Sequence, residues 1–212
     1  MANATFLRWS GIALAIGGAL TLLVNVVFTP QLPPKGQMVD VAATSLFAWR
    51  QSASALSAAM LLFGSVGLYL SQAERAGRFG AAAFTLAFFG SALALCVEWS
   101  EVFVVRDLAF RAPDALRVLD AGHGKSIYDL GALSSVGAFA LGWVLLAISS
   151  LRSGLSGWAA GGVIAGFFLN PLLAAALPGV VGPVLANIVL GSSLSWLGYD
   201  VLRRAGSGNR PG

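Results

Sequence analysis

One cysteine, one histidine and two lysines are a short supply of reactive side chains for a chain of 212 residues. With Cys96 alone, no intrachain disulfide can form, and neither a C-x-x-C pair nor a Cys/His metal set can be assembled. With His123 alone, a bis-histidine haem and a three-histidine zinc centre are both excluded. Lys35 and Lys125 lie in polar connections, so no apolar run holds a lysine for a retinal Schiff base. The patterns HExxH, GxGD and GxSxG are absent, which removes the common intramembrane hydrolases. Gly124-Lys125-Ser126 ends like a phosphate-binding loop, but Leu119 stands where its first glycine is needed and no strand precedes it.

Charge is equally scarce. Charged residues make up 10% of the chain and hydrophobic ones 57%, against about 25% charged in soluble domains. A soluble domain of this size could not bury so much apolar surface, so the expected solvent is the lipid bilayer. The formal net charge of +4 does not point to nucleic acid. The basic residues stand singly or in pairs at the ends of apolar runs, where they anchor helices and set orientation.

What is present is a series of apolar runs, each long enough to cross a hydrocarbon core of about 30 Å. We expect an all-α polytopic bundle over residues 1–202 with six spans, at 7–28, 53–70, 79–101, 130–150, 158–177 and 183–202, then a polar flexible tail at 203–212. Arg8 ahead of the first run gives the charge order of a signal peptide. The run is too long for one and lacks a small-residue cleavage site, so it reads as an uncleaved first span. Short interfacial helices are expected in the 1–2 and 3–4 connections. One would carry Leu46 and Trp49 on one face at headgroup depth; the other would lie within APDALRVLDAG, residues 112–122. Together they would form a small outer cap. Short connections rich in arginine (Arg75, Arg78, Arg152) on the side of both termini favour termini in the cytoplasm.

Within the spans, small residues mark packing faces. Gly11, Ala15 and Gly18 share one face of the first span, and Gly162 and Gly166 follow GxxxG spacing in the fifth. Asn170-Pro171 lies in the fifth span, where proline removes a backbone hydrogen bond and predicts a break or kink. Trp9, Trp49, Trp99, Trp158 and Trp196 fall near span ends, as an aromatic belt requires, while Trp143 is deep. The first and fifth spans, and the second and sixth, echo each other faintly in the same orientation, as in a parallel repeat.

Polar residues inside such runs are the candidates for function. Glu98 and Glu101 lie one turn apart on a shared face, an arrangement suited to a proton relay or a cation. The apolar run before Glu98 is already a full span, so both also fit an interfacial position paired with Arg50 or Arg106. Asn25, Asn170, Asn187 and the cluster Ser192, Ser193 and Ser195 can join helices by hydrogen bonds, or line a site around Pro171. His123 could join Asp120, Asp129 and Glu101 only if the outer loop folded over the helix ends.

Glu98-Trp99, Trp49-Arg50 and the final WLGY (Trp196 to Tyr199) are similar to small six-helix bacterial membrane proteins without assigned function, a likeness that implies no activity. The resulting expectation is a multi-pass protein of a bacterial inner membrane, acting as a non-catalytic subunit or scaffold of a membrane assembly. The alternative is a small-solute or proton-coupled transporter using Glu98, Glu101 and the Asn170-Pro171 break. An enzyme would need the His123 loop. No cofactor and no metal are expected. The partners expected are the bilayer, and other membrane subunits or a second copy of the chain.

Overall fold

The computed structural model describes residues 4–33, 37–121 and 127–207, the side chains of Asp120 and Ser207 excepted. Nearly all of them are helical, and no strand occurs among them. Six helices are long and apolar enough to cross a membrane, so the chain is a multi-pass helical bundle whose environment is lipid.

The first span, α1, runs Ala4–Leu22, widens into a π-helix at Leu23–Phe28 and closes with a 3-10 turn at Thr29–Gln31. A short α2, Met38–Ala42, precedes α3, Ser45–Leu70. The Thr44 side chain caps α3, its hydroxyl oxygen accepting from the Phe47 amide at 3.1 Å. α4, Ala73–Ser100, passes into a second π-helix at Glu101–Val105 and on into α5, Arg106–Arg111. Gly77, with φ of 58°, takes the backbone out of helix near the start of α4, so the continuous run begins at Arg78. α6 is Pro113–Ala121, α7 Ile127–Arg152, α8 Gly157–Ala176 and α9 Val181–Ser207.

Neighbours in sequence are neighbours in space: α1 packs on α3, α3 on α4, α4 on α7, α7 on α8 and α8 on α9. The last seam, α9 on α1, closes the series into a ring. We call the end where α1 starts and α9 finishes the base, and the opposite end the cap.

The base half is held together by small residues. An added Cβ at Gly18 would lie 2.4 Å from the Ser195 amide nitrogen, and one at Gly198 2.4 Å from that of Ala15. Gly64 meets Leu14, Gly142 meets Ala87, and Gly162 meets Ser193 with equal closeness. Such approach brings backbones together and compensates for the missing hydrophobic drive between helices in lipid. A dry core with Leu14, Leu68, Trp143, Leu146, Leu197 and Val201 fills the interior. Trp143 is fully buried, and its indole N–H donates to Ser91 Oγ at 3.0 Å. At the cap, a second small core joins Val39, Ala42, Phe47, Val105, Ala109 and Leu116. The Arg106 guanidinium ties it together by donating to the Thr44 carbonyl at 2.9 Å.

Four features differ from the sequence expectation. Leu46 and Trp49 belong to α3 itself, because nothing between Thr44 and the apolar run breaks the helix; the separate short helix is α2. The third helix continues past residue 101 to Arg111, since the first breaker it meets is Pro113. Arg203–Ser207 is helix rather than flexible tail: Arg203 stacks over the Tyr199 ring and Arg204 donates to the Gly154 carbonyl at 2.7 Å. Finally, α8 continues unbroken through Pro171. Proline tolerates helical φ and deprives only the Phe167 carbonyl of its amide donor.

Candidate functional site

Above the dry core the helices separate around a cavity of about 520 Å³, within the range of small-molecule sites. All six spans line it. α1 contributes Thr21, Val24 and Asn25, α3 contributes Ser54, Ser57, Ala58 and Leu61, and α4 contributes Ala94 and Glu98. Val136, Phe139 and Ala140 come from α7, with Gly166, Phe167, Asn170 and Pro171 from α8. Asn187, Leu190 and Leu194 of α9 complete the wall. Three candidates taken from separate runs of the sequence, Asn25, Glu98 and Asn170, therefore share one space.

Each polar group is placed by its own helix. The Thr21 hydroxyl donates to the Gly17 carbonyl at 3.0 Å and lies 3.1 Å from the Ser57 hydroxyl, joining α1 to α3. Asn25 donates its amide to the Thr21 carbonyl at 2.9 Å, and Asn187 donates to the Pro183 carbonyl at 2.8 Å. The Asn170 side chain makes no hydrogen bond among the described residues, although its neighbours on the wall are mostly apolar. Its amide can both donate to and accept from whatever occupies the cavity.

Glu98 is anchored from α3. The Gln51 side-chain amide donates to Glu98 Oε2 at 3.0 Å and also to Glu101. Gln51 is fully buried and accepts from the Arg50 guanidinium, which in turn reaches Thr29 Oγ1 at 3.2 Å. Arg50 attracts both carboxylates without ion-pair contact to either. Tyr128 O–H donates to Glu101 Oε1 at 3.3 Å, bringing the start of α7 to the same network. The two ion pairs found within 4 Å among the described residues lie elsewhere, at Arg111–Asp107 and Arg117–Asp114. Arg106 is turned into the cap instead.

Both π-helices flank this network. Asn25 sits inside the first and Glu101 opens the second. A π-turn carries one residue more than an α-turn and is found mostly where a site requires it. Neither π-helix, nor Gln51, was singled out by the sequence reading. Gln51 stood at a helix start expected to be interfacial, so its burial left no signal, and π-turns have no distinctive composition.

The cavity has a side opening. Of its lining residues, Val136 on α7 and Pro171 on α8 alone are exposed, and Val136 keeps 63% of its surface accessible. The cavity therefore reaches the surface between α7 and α8. Leu133 of α7 and Phe168 and Leu172 of α8, near these two in sequence, are also exposed, and an added Cβ at Gly131 or Gly137 would meet nothing within 4 Å. Just inside, Phe139 and Phe167 meet edge to face at 5.9 Å across the same two helices.

Other candidates fall elsewhere. Gly11 and Ala15 face Gly198 of α9, and Gly162 and Gly166 face Ser193 and Leu190. Ser195 donates to the Ala15 carbonyl at 3.1 Å. Cys96 is exposed on the outer face of α4 beside Trp99. His123 and the Asp120 side chain lie outside the described residues, while Asp129 is in the first turn of α7. Among the described residues, no three of His, Cys, Asp and Glu are grouped to hold a metal ion. No family model matches the chain, and no curated protein or solved structure matches it.

Proposed function

We propose that this protein binds and carries a small solute across the membrane, with Glu98 as the charge-bearing group of the site. One observation carries the reading: Asn25, Glu98 and Asn170, from three different spans, line one cavity to which all six helices contribute. A non-catalytic scaffold has no need of such a space, and polar groups left without partners inside an apolar bundle are costly unless something uses them. Trp49 and Trp99 are both exposed beside Gln51 and Glu98. If they mark the headgroup boundary, the acidic end of the cavity lies at that boundary and the rest reaches into the bilayer. The base carries Arg8, Arg75, Arg78, Arg152, Arg203 and Arg204, which favours a cytoplasmic base in a bacterial inner membrane and a cap facing outward.

The test is a thermal-shift panel on the purified full chain, with amines, carboxylates and polyols as probes. At least one class should raise the melting temperature of the wild type, and Glu98→Gln and Asn170→Ala should each lose that rise while staying folded. If no class acts, and gentle extraction with native mass spectrometry shows stoichiometric foreign subunits, the solute reading fails and the subunit role replaces it.

A further inference from the structure

We propose that the solute is a lipophilic monovalent ammonium: a protonated amine on an apolar body, drawn from the bilayer. The class rests on the solute-binding reading and is argued from three properties of the cavity.

The first is charge. Glu98 is the one ionisable group on the lining. The lining carries no cationic side chain, so the charge it can present to a solute is negative and is matched by one monovalent cation. Arg106, the next cation along the chain, is committed to the Thr44 carbonyl and does not compete.

The second is hydrogen bonding. The Glu98 carboxylate is held by a donor, the Gln51 amide. Carboxylate oxygens accept more than one hydrogen bond, so capacity remains toward the cavity. The Asn25 amide gives one of its two N–H donors to the Thr21 carbonyl and its oxygen is free among the described residues, and the Asn170 side-chain amide is wholly unspent. An ammonium head with N–H bonds satisfies acceptors of this kind, and a carboxylate head would meet Glu98 as a like charge.

The third is shape and access. Below the acidic end the wall is Leu61, Leu190, Leu194, Phe139 and Phe167, a place for an apolar body and a ring face for the cation to pass over. The opening lies at Val136 and Pro171, at a depth where α7 has already run nine residues from its start and where α7 and α8 expose Leu133, Phe168 and Leu172. A solute that partitions into lipid reaches the cavity through that opening without crossing water.

The experiment uses the full chain in nanodiscs at neutral pH, with empty nanodiscs subtracted. The probes are tritiated 4-phenylbutylamine and its matched partners 4-phenylbutan-1-ol and 4-phenylbutyrate. Saturable binding of the amine is expected, weakened roughly tenfold to a hundredfold by Glu98→Gln and less by Asn170→Ala. Methylammonium, which has the charge without the body, should fail to displace it. The proposal is overturned if the amine binds equally well to folded Glu98→Gln, or if methylammonium displaces it at equal concentration. Preferential, Asn170-dependent binding of the alcohol or the carboxylate overturns the ammonium class while leaving the solute site standing. No saturable binding of any of the three to folded wild type overturns the ammonium class; the thermal-shift panel then decides the broader reading.

Discussion

At the base, Gly11 and Gly198 let α1 and α9 touch backbone to backbone; toward the cap, the same two spans turn Asn25 and Asn187 onto a cavity wall. The two halves use the same six helices and differ in what their side chains permit. Glycine and alanine recur where helices meet, at Gly18, Gly64, Ala87, Gly142 and Gly162. Asparagines and a proline stand on the cavity wall. Polar satisfaction differs as well. Ser10, Gln72, Ser149, Ser153 and Asp200, all in the base, bury polar atoms that have no partner among the described residues. In the cap half, Gln51 serves two carboxylates at once. Tight packing and complete hydrogen bonding are therefore separate achievements in this bundle: the base packs closely around unpartnered polar atoms, while the cavity leaves the Asn170 amide unspent and holds Glu98 by a buried donor.

The strongest way to break the contrast is Gly18→Leu. The new side chain would run into the Ser195 amide and the Gly191 carbonyl, neither of which can move aside. A loss of about 3 kcal/mol or more is expected, seen as a collapsed melting temperature or loss of the monodisperse species in size-exclusion chromatography. Next is Gln51→Leu, which strips Glu98 and Glu101 of their shared donor. It should cost roughly 1–3 kcal/mol in a melt and disable probe binding, so that an unchanged melt would show the network to be dispensable. Gln72→Met should act in the opposite direction. Removing two orphaned amide atoms at nearly constant volume should be neutral or stabilising by up to about 1 kcal/mol. The smallest effect belongs to Gly137→Ala in the open half, where an added Cβ meets nothing within 4 Å. A change within about 0.5 kcal/mol is expected, and a large loss there would show that α7 and α8 close on each other.

The spans were legible in the sequence because lipid imposes a length on every apolar run. Asn25, Glu98 and Asn170 stood out for the same reason, being polar in places where polarity is expensive. Their convergence was not legible: it depends on the order of helices around the ring, and spacing along a chain does not encode that. Gln51 was hidden because α3 starts earlier than the apolar run suggests. Pro171 misled in the other direction. A proline predicts a lost hydrogen bond with certainty and a broken helix only when neighbouring packing lets the backbone part.

The seam between α1 and α9 bears on how the protein is made. Ser195 reaches back to Ala15 over 180 residues, and α9 is the last of the six spans to be synthesised. Before it arrives, a five-span nascent chain presents the bare glycine face of α1 to lipid, and the future cavity is a trough lacking the wall of Asn187, Leu190 and Leu194. Insertion of α9 covers both at once, because one face meets α1 while another meets Gly162 and Gly166 of α8. The cavity is thus enclosed only when the last of these six spans inserts. A chain stalled before α9 would be an open membrane species, prone to capture by quality-control proteases rather than partly active.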